Sequence, residues 1–170
     1  MKIFLVGFMG SGKTTFGKRL ALLINTNFVD TDRFIETQQN MTIVEIFKHQ
    51  GEAAFREMER KVLLELITRD SIVVSTGGGM PCFNDNMSLM LANGKVIYMK
   101  TSPEALAARL INSRCERPLI KGKSKTELLE FIEINLAERE PVYELANITI
   151  RTESFSFEEL FNLHNKFCRI

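Results

Sequence analysis

The chain is 170 residues long, enough for one domain with a buried core, and is 45% hydrophobic and 25% charged with a formal net charge of +1. That composition excludes disordered and collagen-like classes, and the near-neutral balance draws the chain to neither nucleic acid nor an anionic membrane. Cys82, Cys115 and Cys168 form no CxxC pair and lie far in sequence from His49 and His164, which argues against a zinc site and reads as reduced thiols of a cytoplasmic protein.

The opening apolar run, Met1 to Gly7, is too short for a signal peptide or membrane span and predicts a buried strand over Lys2–Val6. It leads into Gly7-Phe8-Met9-Gly10-Ser11-Gly12-Lys13-Thr14, a full match to GxxxxGK[ST]. Glycines at these places let the backbone wrap a phosphate with its N–H groups pointing inward, and the helix expected over Lys13–Ile24 adds the positive end of its dipole. Gly10, Ser11, Gly12, Lys13, Thr14 and Thr15 are therefore the expected nucleotide contacts, with Lys13 on the β- and γ-phosphates and the Thr14 hydroxyl on magnesium. A guanine-reading NKxD motif is absent, which disfavours a GTPase switch.

A second strand, Asn27–Asp30, precedes Asp30-Thr31-Asp32 and a helix over Asp32–Gln39. In a parallel sheet the carboxyl ends of strands share one edge, so both acids can face the P-loop. Asp30 would hold a magnesium-bound water, while Asp32 would either accept a substrate hydroxyl or simply cap its helix. Helices follow over Thr42–Lys48, opened by a Thr42/Glu45 capping box, and over Glu52–Thr68. On the latter, Phe55, Met58, Val62 and Leu66 form an apolar stripe with Glu59 at its edge and Arg56 roughly 60° beyond. A carboxylate there needs a partner, so Arg56 and Glu59 are either a structural ion pair or an arginine held rigid for an anionic substrate.

The third strand, Ser71–Ser75, ends without an acid in Thr76-Gly77-Gly78-Gly79, and three glycines in that place let another molecule approach the backbone closely. Then come a helix over Asn84–Ala92, a strand over Lys95–Met99, and a helix over Pro103–Asn112 with Ser102-Pro103 at its start. Ser113–Lys125 is a basic, Pro- and Gly-interrupted segment carrying Arg114, Arg117, Lys121, Lys123 and Lys125 against Glu116 alone. A helix over Lys125–Glu138 precedes Arg139-Glu140-Pro141-Val142-Tyr143, where Arg139 by itself reads as surface charge. A strand over Asn147–Ile150 and a helix over Phe157–Phe167 complete the alternation, which predicts an α/β fold with a parallel sheet between helices.

In order and spacing, Gly7–Thr14, Asp30-Thr31-Asp32, Gly51-Glu52 with Phe55-Arg56 and Glu59, Thr76–Gly79, Arg117-Pro118-Leu119, and Arg139 with Tyr143 resemble the shikimate kinase family over nearly the whole chain. The resemblance implies a nucleoside-monophosphate-kinase-like P-loop fold, a three-layer sandwich whose five-stranded parallel sheet has the order 2-3-1-4-5. It implies transfer of the γ-phosphoryl of ATP to the 3-hydroxyl of shikimate. By matching positions, Asp32, Arg56, Gly78 and Arg139, flanked by Gly77 and Gly79, would hold shikimate while Glu59 orients Arg56. Thr14 and Asp30 would serve Mg²⁺, and Lys13, Asp32 and Arg117 would act in catalysis, Arg117 from a lid at about 113–125 that closes over the phosphates. The substrate-binding region would span about 32–60 of a single domain, 1–170. Arg109 resembles a residue that packs on adenine and Arg151-Thr152 an adenine loop, although the proline often found after that loop is missing. The expected protein is a cytoplasmic monomer with ATP and shikimate as its partners. Two alternatives share the P-loop: a gluconate-kinase-like enzyme, which has no reason to keep Arg56, Gly77–Gly79 and Arg139 together, and a non-enzymatic nucleotide switch.

Overall fold

The computed structural model describes residues 1–112, 120 and 122–154. Arg117, most of the expected lid and the expected helix Phe157–Phe167 lie outside the described residues. In chain order the elements are β1 (Lys2–Val6), α1 (Lys13–Leu23), β2 (Asn27–Asp30), α2 (Thr31–Gln39), α3 (Ile43–Leu66), β3 (Ile72–Ser75), a 3₁₀ turn (Met80–Cys82), α4 (Asn86–Asn93), β4 (Lys95–Lys100), α5 (Pro103–Ile111), α6 (Lys125–Tyr143) and β5 (Ile148–Arg151).

Every strand pairing is parallel and the sheet order is β2-β3-β1-β4-β5, the order expected from the resemblance. Strands buried on both faces must be apolar at successive positions, and their alternating side chains divide the core into two layers. Ile3, Leu5, Val73, Ile97, Met99 and Ile150 pack against Phe16, Leu20 and Ala21 of α1. Phe4, Val6, Val74, Val96 and Tyr98 pack on the other side against buried residues of α3, α4, α5 and α6. The register places Asp30 and Leu5 beside Ser75, so β1, β2 and β3 all release their chains at one edge. That edge carries the P-loop, Asp30 to Asp32, and Thr76 to Gly79.

The caps explain most boundaries. The Thr42/Glu45 capping box is present, Ser102 Oγ accepts from the Ala105 N–H, and a second box joins Ser124 to Glu127. At Gly51 the backbone leaves helical geometry (φ 80°, ψ 172°), so α3 is two helical pieces with the break where the sequence suggests it. Only α6 differs in kind: it continues past Glu138 and through Pro141 to Tyr143. Pro141 lacks the N–H that would reach Ala137, but it sits in the last turn. The helix is carried beyond it by the Glu144 N–H bond to Glu140 O (2.9 Å) and by the fully buried Tyr143 ring. Arg139 is therefore a helical residue with a set direction.

Candidate active site

The P-loop joins β1 to α1 with Gly7, Gly10 and Gly12 at φ of 139°, 83° and 92°, conformations that a Cβ disfavours. Lys13 folds back across its own loop, donating from Nζ to Gly7 O (2.7 Å), Phe8 O (2.9 Å) and Ser11 Oγ (3.5 Å). A cavity of about 340 Å³ opens above it, lined in part by Gly10, Gly12, Lys13, Thr14, Thr15, Asp32, Gly78 and Arg109. Thr14 Oγ1 donates to Asp30 Oδ2 at 2.7 Å. Asp30 also caps α2 by accepting the Arg33 N–H on its other oxygen. Capping is thus the work of Asp30, and Asp32, the second residue of α2, lines the cavity.

The acids and arginines meet at the glycine loop. A Cβ on Gly77 would fall 2.6 Å from Asp32 Oδ1 and 2.7 Å from Glu59 Oε1, and one on Gly79 would fall 2.7 Å from Arg56 Nη1. A side chain at either glycine would displace the charged groups from these positions. Arg56 Nη1 donates to Glu59 Oε2 at 2.6 Å, while Nε and Nη2 both donate to Glu52 Oε1 at 3.2 and 2.8 Å. Glu59 is only 1% exposed, and burial pushes its carboxyl up to about 7 even though Arg56 pulls it down. Asp32 adds to the rise and Arg139 opposes it, so both lie within electrostatic range of Glu59.

Arg139 reaches this cluster from α6, bonded to Asn135 Oδ1 (3.3 Å) and lying over the Phe8 ring of the P-loop at 5.5 Å. Four residues on, Tyr143 Oη donates to Gly78 O at 2.5 Å, tying α6 to the glycine loop. Asp32, Arg56 and Arg139, distant in sequence, therefore surround Gly77–Gly79 beside the P-loop. On the opposite flank, Arg109 Nη1 donates to Gly10 O and Ser11 O (3.4 Å each) and to Thr152 Oγ1 (3.2 Å). Thr152 is thereby brought to the P-loop. Arg151 is not; it lines a separate cavity of about 610 Å³ with Lys100, Ser102, Glu133, Glu140 and Glu153.

Several contributors have no periodic or motif signal of their own. Thr31, fully buried, accepts the Gly77 N–H on its hydroxyl at 2.9 Å and so fixes the glycine loop from between the two acids. Phe83 lies directly under Arg56, with Cζ 3.9 Å from the ring centroid. Asn86 is completely buried, donating to Met80 O (2.9 Å) and accepting from Arg60 (2.8 Å), which pins the Met80–Phe83 turn onto α3. Among the described residues no group of three or more His, Cys, Asp or Glu could hold a metal. The Thr14 hydroxyl with Asp30 behind it nevertheless suits magnesium, which keeps waters and takes further oxygens from nucleotide phosphates.

The family model described as shikimate kinase matches residues 9–167. A shikimate kinase of Azobacteroides pseudotrichonymphae is 46% identical over 160 residues, 94% of each chain. The crystal structure of shikimate kinase from Bacteroides thetaiotaomicron superposes with a TM-score of 0.93 at 37% identity, covering 100% of this chain and 99% of that one. The shikimate kinase of Acinetobacter baumannii in complex with shikimate gives a TM-score of 0.81 at 35% identity, covering 99% of this chain and 90% of the other.

Proposed function

This chain belongs to the shikimate kinase family, and from that premise we propose how its own residues move the γ-phosphoryl group of ATP to the 3-hydroxyl of shikimate. The observation that carries the proposal is the meeting of two arginines and one aspartate around Gly77–Gly79, beside a complete P-loop.

Shikimate is a hydroxylated ring bearing a carboxylate. A guanidinium has five N–H groups, and three of those on Arg56 are engaged by Glu52 and Glu59. One remains on each Nη, which is the fork a carboxylate takes. Arg139 supplies the second cation, and the Gly77–Gly79 backbone lets the ring sit close. Asp32 accepts the 3-hydroxyl, orients its oxygen at the γ-phosphorus, and takes the proton as the new O–P bond forms. The bond from γ-phosphorus to the β–γ bridging oxygen breaks, and ADP leaves with that oxygen. Lys13 exchanges its P-loop carbonyls for the β- and γ-phosphates, so charge developing there meets a cation already in position. Magnesium, held by Thr14 with Asp30 behind it, would neutralise phosphate charge when bound. Arg109 and Thr152 would flank the adenine; the placement of Arg151 does not support a matching contact from that residue.

Arg117, in the basic segment at about 113–125, is proposed as the lid arginine that reaches the phosphates and excludes water, with residues of about 32–60 forming the acceptor region. No helix among the described residues is long and apolar enough to cross a membrane. A cytoplasmic monomer is the proposed state. The test is ADP release from ATP and Mg²⁺ with shikimate, gluconate and other small alcohols offered in turn. Turnover with shikimate is expected, whereas turnover with gluconate but not shikimate would overturn the proposal.

A further inference from the structure

We propose that Phe83 is a positioning residue for the acceptor site, its ring face holding the Arg56 guanidinium in the plane that presents the two remaining N–H groups to the acceptor carboxylate. The inference rests on the function proposed above and adds to it a residue outside every motif named in the sequence.

Hydrogen bonds alone do not set that plane. Glu52 is exposed to solvent, which weakens its hold, and it meets Arg56 through a single oxygen. Glu59 is rigid but contacts only Nη1. A guanidinium held so can still rotate about the Nη1–Glu59 line. Beyond the more distant Phe55 ring, 5.3 Å from Cζ, two closer contacts remove that freedom. Phe83 lies against one side, with Cζ 3.9 Å from the ring centroid, well inside the range of cation–π attraction. The Gly79 backbone closes another side so tightly that a Cβ would collide with both Nη atoms, at 2.7 and 3.0 Å.

Phe83 is itself held in place. It follows the Met80–Cys82 turn in an extended conformation, and that turn is tied to α3 by the buried Asn86. Arg60, one turn beyond Arg56 on the same helix, donates to Asn86 Oδ1 and pairs with Asp85 at 2.7 Å. Ring and guanidinium are therefore both fastened to α3, and their separation does not depend on loop motion. Phe83 is also only half-buried and belongs to neither main core cluster, so its removal leaves the packed layers intact.

The experiment compares Phe83→Leu, which keeps apolar bulk but loses the ring face, with Phe83→Tyr, which keeps it. Steady-state ADP release gives KM for shikimate, KM for ATP and kcat, and thermal denaturation gives Tm. The expected result for Phe83→Leu is a shikimate KM raised about 3- to 10-fold, with KM for ATP and kcat within about twofold of the parent. Phe83→Tyr should restore the shikimate KM to within about twofold. An unchanged shikimate KM in Phe83→Leu, an equal defect in Phe83→Tyr, or a matching rise in KM for ATP would each overturn the assignment. Should Phe83→Leu fail to fold, Phe83→Met carries the same expectation, and failure of both would make Phe83 a packing residue instead. If the parent protein itself does not turn over shikimate, the proposed function falls, an outcome distinct from any failure of Phe83.

Discussion

Replacing Glu59 by glutamine should make the protein more stable at pH 8 while impairing its use of the acceptor. Glu59 is 1% exposed, and burial outweighs its ion pair with Arg56 and lifts the carboxyl from an ordinary 4.5 to about 7. The folded state therefore binds the Glu59 proton more tightly than the unfolded chain does. The stability this contributes is fully present below about pH 4.5 and is lost as pH rises through about 7. The difference corresponds to about 3 kcal/mol. Glutamine resembles the protonated acid in shape and charge, so the variant escapes the loss. Arg56 is not stranded by the change, because it keeps Glu52 and the Phe83 face. Urea denaturation of both proteins between pH 5 and 8.5 should show near-equal stability at pH 5 and a widening advantage for Glu59→Gln up to about pH 7.5. Its shikimate KM should rise nonetheless, since a neutral amide holds the arginine less firmly. A variant less stable than the parent at pH 8, by an amount that does not change with pH, would refute the reasoning and show that the ion pair outweighs desolvation.

Arg56→Ala and Arg139→Ala should each lower kcat/KM for shikimate by about 30- to 150-fold, as expected for losing a charged contact of about 2–3 kcal/mol, while ATP affinity measured by calorimetry changes little. Equal damage to ATP binding would count against the acceptor assignment. Lys13→Ala should reduce kcat by at least about 100-fold, and shikimate KM should hardly move because the role proposed for Lys13 is at the β- and γ-phosphates. Tyr143→Phe removes the donor to Gly78 O and should cost about 1–2 kcal/mol, seen as a Tm lower by about 3–6 °C, together with a raised shikimate KM. An unchanged Tm would mean that water or another donor replaces the hydroxyl.

The sheet was legible because its strands are short apolar runs punctuated by helices, and their ends in the sequence lie close to those in the fold. The P-loop and the acid pair at Asp30 and Asp32 were legible for a related reason: both lie where strands end, and a parallel sheet brings those ends to one edge. What escaped depends on packing between distant segments. Nothing local distinguishes Phe83 from any other aromatic residue after a turn; only the approach of α3 sets it under Arg56. Proline normally marks a helix end, so Arg139 read as lying beyond one, and it takes the burial of Tyr143 and the Glu144 N–H bond to Glu140 O to carry α6 through Pro141. Capping by Asp30 rather than Asp32 turns on a two-residue shift of the helix start, finer than boundary reading can resolve. Arg151 is the last residue of β5 and lines another cavity, whereas Thr152, just past the strand end, meets Arg109; one residue at that boundary separates the two placements.

A crystal structure of the protein with ADP and shikimate bound would weigh the account most directly. The shikimate carboxylate should lie within hydrogen-bond distance of both Arg56 and Arg139, with the 3-hydroxyl against Asp32 and facing the vacant γ-position. A ring bound elsewhere, or a carboxylate that touches neither arginine, would contradict it.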